Sequence, residues 1–397
     1  MHRTLNAQSS HYAEPSEGLT RIFACFESCM ELSAETLKTA QNFFLFAAMV
    51  SLASCAPYTI KSSTASSIDA LFADYDKPGS PGTSLAVIGN GKVVYSKAYG
   101  LADLESRTPA TTSTNYRLAS VTKQFTAMAV LLLVDRGKLS LDSRLSDVLP
   151  GSPPYFQNVK IRNLLNHTSG IVDYEDLVPE NATVQVLDKD VLSLLKRIDS
   201  VYFPPGEKFK YSNSGYSLLA LVVESISGQS FAEFLKENIF SPLGMNHTVA
   251  YQQGISTVEN RAYGYSRSDS GFVRTDQSIT SAVLGDGGIY SSVEDLFKWD
   301  QALFTESLVR PSLFKEALTP AQLNDGSRTT YGFGWYIESY KNSTRFFHTG
   351  DTQGFRNAIL RMPDQQFTVI ILTNRNEGEP IEIAKKIADL MLLKQVP

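Results

Sequence analysis

The stretch ASVTKQFT, Ala119 to Thr126, sets a serine and a lysine three positions apart at the mouth of an apolar run, AMAVLLLV. Serine is among the best helix N-cap residues, so Ser120 has an ordinary structural reading. The pattern Ser-x-x-Lys also recurs at Ser193/Lys196 and Ser312/Lys315, both within polar-apolar helical stretches where a surface lysine is the default. Only Ser120 follows an extended run, NYRLA, and opens a long buried helix. One helical turn then stacks Lys123 beside Ser120 on one face, and the helix N-terminus favours negative charge developing on the serine oxygen. A serine nucleophile needs a base, and a lysine serves when burial lowers its pKa.

Outward from this point the chain reads as strands at both ends around a helical middle. TSLAVIGNGKVVYSKAYG holds two β-rich runs joined by Gly89-Asn90-Gly91, a hairpin signal. YGFGWYIESY, TRFFHTG, FRNAILRMP and FTVIILTN are four further β-type runs, and EPIEIAKKIADLMLLK closes the chain as an amphipathic helix. Between them lie QFTAMAVLLLVDRGK, VLSLLKRI, GYSLLALVVESISG, SFAEFLKENIF and SVEDLFKWDQALF, all helical in spacing. The last follows Ser291 with Glu294 three positions on, a capping-box spacing. The expected fold class is α+β: one antiparallel sheet built from both chain ends, flanked by helices, with a mainly helical subdomain inserted. A cleft is expected where sheet and helical region meet.

Two more patterns accompany the serine. FKYSNSGY contains Tyr211-Ser212-Asn213 ahead of an apolar helix, and RFFHTGDTQGF contains His348-Thr349-Gly350 at the end of a β-run. Tyr211 follows Ser120 by 91 residues and His348 follows Tyr211 by 137. A second Tyr-x-Asn, Tyr340-Lys341-Asn342, falls in a turn between β-runs. Ser-x-x-Lys, Tyr-x-Asn and a basic residue before Thr-Gly, in this order, resemble the serine β-lactamase and penicillin-binding-protein superfamily. The nearest likeness is to its branch of class C β-lactamases, D,D-peptidases and family VIII esterases. IGNGKVVYSKAYGLAD, LLNHTSGIVDY, FPPGEKFKYSNSGYSLLALVVE, LGDGGIYSSVEDLFKW and HTGDTQGFRNAILRMP look like the same family, from about residue 68 to the C-terminus.

The resemblance implies a β-lactamase/transpeptidase-like fold and a serine hydrolase working through an acyl-enzyme on Ser120. It makes Lys123 and Tyr211 the groups that move the serine proton, with the choice of base between them open. Asn213 is expected to hydrogen-bond Lys123 and the substrate. The oxyanion would rest on the backbone N–H groups of Ser120 and Asp351, and His348, Thr349 and Gly350 would line the substrate edge. Class C β-lactamases typically carry lysine where His348 stands. Histidine is largely neutral at pH 7, so it offers a hydrogen bond to Tyr211 or to substrate in place of a fixed charge. That departure favours cleavage of a D-Ala-type peptide or a small ester over a dedicated β-lactamase. An esterase with side β-lactamase activity and a non-catalytic cell-wall binding protein are the alternatives. His167, in NHTSGI, reads as a structural histidine, and Gly287 and Gly288 as turn residues shaping the cleft.

Composition bounds the rest. Of 397 residues 43% are hydrophobic and 19% charged, an ordinary globular balance, and a net charge of −5 without any basic run speaks against a nucleic-acid partner. No Gly-x-Ser-x-Gly elbow is present, and the five histidines have no metal-ligand spacing, so neither an α/β-hydrolase nor a metal centre is expected. No cofactor is implied. All three cysteines, Cys25, Cys29 and Cys55, precede the predicted domain, and Cys25 and Cys29 form a C-x3-C pair with no partner pair.

Residues 43 to 54, FFLFAAMVSLAS, are too short to span a bilayer and fit the apolar core of an export signal. Leu52-Ala53-Ser54-Cys55 resembles the bacterial lipobox, in which the cysteine is lipidated. Lys38 is the nearest positive charge upstream, with Glu31 and Glu35 beside it, and Met30 offers an alternative start. The other reading of the stretch is a buried apolar helix. The expected organisation is a leader over 1–55, a Ser/Thr-rich tether over 56–67 and one hydrolase domain over 68–397. The expected setting is the periplasmic side of a bacterial membrane, with a lipid anchor on Cys55 and a small molecule or peptidoglycan peptide as substrate.

Overall fold

The computed structural model describes residues 60–341 and 343–392. The leader over 1–55, Cys55 and the start of the tether lie outside the described residues. A helix, α1, runs Ser62–Ala70, so ordered structure begins inside the stretch read as tether rather than at residue 68.

The Asn90-Gly91 signal forms its hairpin. Strands β1 (Thr83–Gly89) and β2 (Lys92–Tyr99) flank a two-residue turn with φ of 51° at Asn90 and 72° at Gly91. Both central residues are left-handed, as a type I′ turn requires. Strands β3 (Tyr336–Tyr340), β4 (Ser343–Thr352), β5 (Phe355–Met362) and β6 (Phe367–Thr373) complete one antiparallel sheet in the order β3-β4-β5-β6-β1-β2. The two chain ends meet at its centre, where Thr83 pairs with Thr373 and Gly89 with Phe367. Of the run YGFGWYIESY only the second half is strand, because Gly334, at φ 77°, turns the first half onto the backbone of Lys123 and Gln124.

Alternation decides what each sheet face buries. Leu85, Val87, Val369 and Ile371 pack with α1 and the C-terminal helix, through Ile68, Ala384 and Ile387. Ala86, Ile88, Ile370 and Leu372 pack on the opposite face against the helical region. That region centres on helix α2 (Lys123–Asp135), buried on every side from Lys123 to Leu133, as expected of a core helix with no polar face. Beside it lie α3 (Asn213–Ser227) and α4 (Val293–Ala302), and the C-terminal helix α5 spans Pro380–Leu392. The N-cap of α4 is Ser292, whose side chain accepts from the Asp295 N–H, and not Ser291, which ends a short strand (Ile289–Ser291) buried against Tyr116–Arg117. Among the described residues no single helix is long and apolar enough to cross a membrane.

Candidate active site

Ser120 sits in a 3-10 turn, Ala119–Thr122, that leads into α2. In a 3-10 turn residues i and i+3 eclipse, which sets Lys123 over Ser120. Ala119 is held at φ 49°, a strained conformation for a residue with a Cβ, directly before the serine. Strand β4 runs alongside. A Cβ on Gly350 would collide with the Leu118 carbonyl oxygen, so only glycine lets the strand approach this turn.

The amine of Lys123 is fully enclosed (0% exposed) and donates to Ser120 Oγ at 2.9 Å, Asn213 Oδ1 at 2.8 Å and the Asp286 carbonyl at 3.0 Å. Burial lowers its pKa to about 8, against the opposing charges of Asp286, Asp173 and Glu175. About one lysine in ten is then neutral at pH 7, where a lysine at 10.5 would be neutral about once in 3,000. The partners fix where the freed lone pair points. The Asp286 carbonyl and Asn213 Oδ1 can only accept, so the neutral amine keeps two N–H bonds to them and turns its lone pair to the Ser120 hydroxyl. This arrangement takes a proton from Ser120 and from nothing else nearby.

Tyr211 and Asn213 straddle the N-terminus of α3. The Asn213 N–H donates to Asp173 Oδ2 at 2.6 Å, and the Ser212 N–H to His167 Nδ1 at 3.2 Å. The His167 ring stacks near Tyr211, with centroids 4.2 Å apart, and its own φ is 59°. Burial holds it neutral, and it braces the tyrosine motif from inside. The Tyr211 ring lies 4.9 Å from the Lys123 amine, and its hydroxyl partners Ser120. Burial first, then Asp286 and Asp173, push this phenol upward, so it stays protonated at neutral pH.

The third motif departs from expectation. His348 is 1% exposed and lies outside the cleft lining; its ring sits 6.1 Å from that of Tyr211 but makes no hydrogen bond to it. Its Nδ1 bonds the Thr349 carbonyl at 2.7 Å and its Nε2 the Tyr331 hydroxyl at 2.9 Å. A carbonyl only accepts, so Nδ1 carries the proton and Nε2 accepts from Tyr331. Burial holds the ring pKa down to about 3, and the residue at this position is uncharged. The remainder of the motif acts through its backbone. The Gln353-Gly354 hairpin pairs Thr352 with Phe355, and Gly350 with Asn357. In an antiparallel ladder bonded pairs alternate, so the N–H groups of Thr349 and Asp351 turn to the other edge of β4. There β3 has already ended its pairing, at Phe347. The Asp351 N–H therefore faces the turn whose own first N–H groups, Ser120 among them, have no helical partner. The Asp351 carboxylate pairs with Arg356 at 3.2 Å.

The structure adds residues that the motifs did not single out. Three successive carbonyls of the turn Leu284–Gly287 hold the nucleophile segment: Gly285 accepts from Thr126 Oγ1 (2.6 Å), Asp286 from Lys123 (3.0 Å) and Gly287 from Arg117 Nε (3.2 Å). Asp188 caps this turn from below, accepting the N–H groups of Leu284 at 2.8 Å and Gly285 at 3.0 Å. The Asp286 carboxylate is buried, accepts from the Tyr174 hydroxyl at 2.9 Å, and burial raises its pKa. Glu175, at the rim, is pushed up to about 7, first by desolvation and then by Asp173 and Asp286. In the sequence this turn shows only as the LGDGG block, whose backbone carbonyls rather than its side chains hold the nucleophile segment.

Ser120, Asn213, Tyr174, Glu175, Thr280, Asp286, Gly287 and Asp351 line a narrow polar cleft of about 40 Å³. A larger cavity, about 580 Å³, lies among Asp74, Lys77, Arg267, Arg375 and Glu377 and carries no part of this constellation. Among the described residues no three His, Cys, Asp or Glu side chains are grouped to hold a metal ion.

The family model described as Beta-lactamase matches residues 68–392. The chain belongs to the beta-lactamase family. It is a serine hydrolase of the serine β-lactamase and penicillin-binding-protein superfamily, with the α+β fold of that group. A penicillin-binding protein of Bacillus subtilis (strain 168) is 35% identical over 330 residues, covering 79% of this chain and 72% of the relative. Protein flp of Staphylococcus aureus (strain N315) is 29% identical, over 76% of this chain and 61% of its own length. Among solved structures, the octameric penicillin-binding protein homologue from Pyrococcus abyssi aligns with a TM-score of 0.72 at 29% identity, over 84% of this chain and 77% of that one. The D-amino acid amidase from Ochrobactrum anthropi SV3, complexed with L-phenylalanine amide, aligns with a TM-score of 0.71 at 25% identity, over 84% and 98% of the two chains.

Proposed function

We propose that the protein hydrolyses D-configured acyl donors, a D-Ala-type peptide, a D-aminoacyl amide or a small ester, through an acyl-enzyme on Ser120. The observation that carries this reading is the lone-pair geometry of Lys123, whose two other partners are pure acceptors. The neutral amine takes the Ser120 proton as Oγ bonds the carbonyl carbon. Tyr211, kept as a phenol, hands a proton to the leaving nitrogen or oxygen as its bond to carbon breaks, and is reprotonated from Lys123. Water then cleaves the acyl–oxygen bond and restores the serine. The Ser120 and Asp351 N–H groups receive the oxyanion, a contribution of about 3–4 kcal/mol for each such donor. Asn213, with Oδ1 committed to Lys123, has its amide NH₂ for the substrate. The likeness to the D-amino acid amidase from Ochrobactrum anthropi SV3 supports the D-configuration.

The test is hydrolysis of D-alanine p-nitroanilide against its L-enantiomer, with Ser120→Ala as control. A D preference lost in the variant is expected; equal rates on both enantiomers, or turnover surviving Ser120→Ala, would sink the reading. Intact mass after adding a penicillin separates the β-lactam alternatives, since a long-lived adduct means slow deacylation and rapid drug loss means lactamase activity. Export and lipidation at Cys55 belong to the same proposal: Cys55→Ser should move the domain from the membrane to the soluble periplasmic fraction. Retention in the membrane would refute the lipid anchor.

A further inference from the structure

We infer that Glu175 is the specificity-determining residue of this cleft and that it receives an α-ammonium group, so that the favoured acyl donors are D-aminoacyl amides and peptides with a free N-terminus; this rests on the D-acyl reading above. Of the anions in the cleft wall, Asp351 is paired with Arg356 and Asp286 is buried on the Tyr174 hydroxyl. The Glu175 carboxylate takes no hydrogen bond or ion pair from the described residues, though its backbone N–H is tied to Asp173 Oδ1 at 3.1 Å.

The cations are all enclosed or paired. Lys123 spends its three protons on Ser120, Asn213 and the Asp286 carbonyl. Arg117 also lines the cleft, but it is 3% exposed, holds the Gly287 and Ser281 carbonyls, and its Nη1, which has no hydrogen-bond partner, is sealed from solvent. His348, at the position where class C relatives carry lysine, is neutral and turned inward to Tyr331 and Thr349. A substrate carboxylate entering here meets the exposed Glu175 and no exposed, unpaired positive group. An ammonium beside the scissile carbonyl meets a carboxylate that lacks a partner, in the same cleft as the nucleophile.

The experiment compares D-alanine p-nitroanilide with its N-acetyl derivative on the wild-type protein and on Glu175→Gln. The wild type is expected to favour the free ammonium, and the ratio of the two kcat/KM values should fall about 10- to 100-fold in the variant, the range of one charge-assisted hydrogen bond. Any change that Glu175→Gln works on Lys123 acts on both substrates and cancels in the ratio. A ratio unmoved by the substitution, or a wild type that prefers the acetylated compound, overturns the inference. Hydrolysis of p-nitrophenyl acetate, which has neither ammonium nor stereocentre, separates the two layers. If that ester is cleaved but neither nitroanilide is, the D-acyl reading has failed. Glu175 is then judged on competition alone: D-alaninamide must inhibit the ester reaction about 10-fold or more tightly in the wild type than in Glu175→Gln, and equal inhibition refutes it.

Discussion

Replacing Asp286 with asparagine should move the pH dependence of acylation and leave the fold in place. Asparagine has the same shape, and its Oδ1 can still accept from Tyr174, now 2.9 Å from the Asp286 carboxylate. What vanishes is a buried negative charge that favours the protonated form of Lys123. The residue's own carbonyl touches the amine at 3.0 Å, and its carboxylate acts on that amine through space. Two unit charges about 6 Å apart at an effective dielectric near 20 interact by on the order of 2–3 kcal/mol, or roughly two pH units. The sign is fixed. With Lys123 near pH 8 in the wild type, kcat/KM should rise with pH through that region as the amine loses its proton. In Asp286→Asn the same limb should appear one to two units lower, and relative activity at pH 6 should increase. The assay is kcat/KM for p-nitrophenyl acetate from pH 5 to 9, with burst amplitude to confirm the fraction of competent sites. An acid limb that stays where it is, or moves up, would refute Lys123 as the acylation base and return that role to Tyr211.

Other consequences follow from the same geometry. Tyr211→Phe should cost about 10²–10⁴-fold on an amide, whose nitrogen leaves only with a proton, and much less on a p-nitrophenyl ester; matched losses on both would contradict the proton-donor role. Gly350→Ala forces a Cβ into the Leu118 carbonyl and should spread the two oxyanion donors. A fall of about 10²–10³-fold in kcat, with unfolding free energy lowered by about 1–3 kcal/mol from the overpacking, is expected from steady-state kinetics beside a urea denaturation curve. Asp300→Ala strands Arg361, whose Nε now bonds Asp300 Oδ1 at 2.6 Å with both side chains buried, and should lower unfolding free energy by about 3–5 kcal/mol in urea titration.

The sheet was readable because its signals are local. An Asn-Gly turn, four β-runs and an amphipathic C-terminal helix each announce themselves within a dozen residues, and Asn90-Gly91 lies where its backbone angles must be. The nucleophile motifs were readable for the same reason, since a 3-10 turn carries Ser120 and Lys123 together. What escaped was long-range. The side chain of His348 gives no sign that Tyr331 and Thr349 will claim both its nitrogens, because the turn at Gly334 that delivers Tyr331 sits in a run that looks like strand. Asp188 and Glu175 are ordinary acidic residues by sequence. Their meaning arises only when the chain brings them to a turn a hundred residues away, or to a cleft wall.

The turn Leu284–Gly287 shows how the fold makes the lysine useful. A buried ammonium is costly unless its protons are satisfied, and a fully satisfied ammonium is a poor base. Here two acceptors cannot exchange roles and the third is the reacting hydroxyl, so losing a proton breaks no bond; it only reverses the direction of one. That holds only while the Asp286 carbonyl stays in place. Its position depends on Asp188 gripping the preceding two N–H groups and on Thr126 and Arg117 gripping the carbonyls on either side. Those two side chains come from the same segment as Ser120, three residues before it and six after. The nucleophile and the turn that aims its base are thus one rigid piece, and a substitution at Asp188 should act on kcat through Lys123 although it touches neither serine nor substrate.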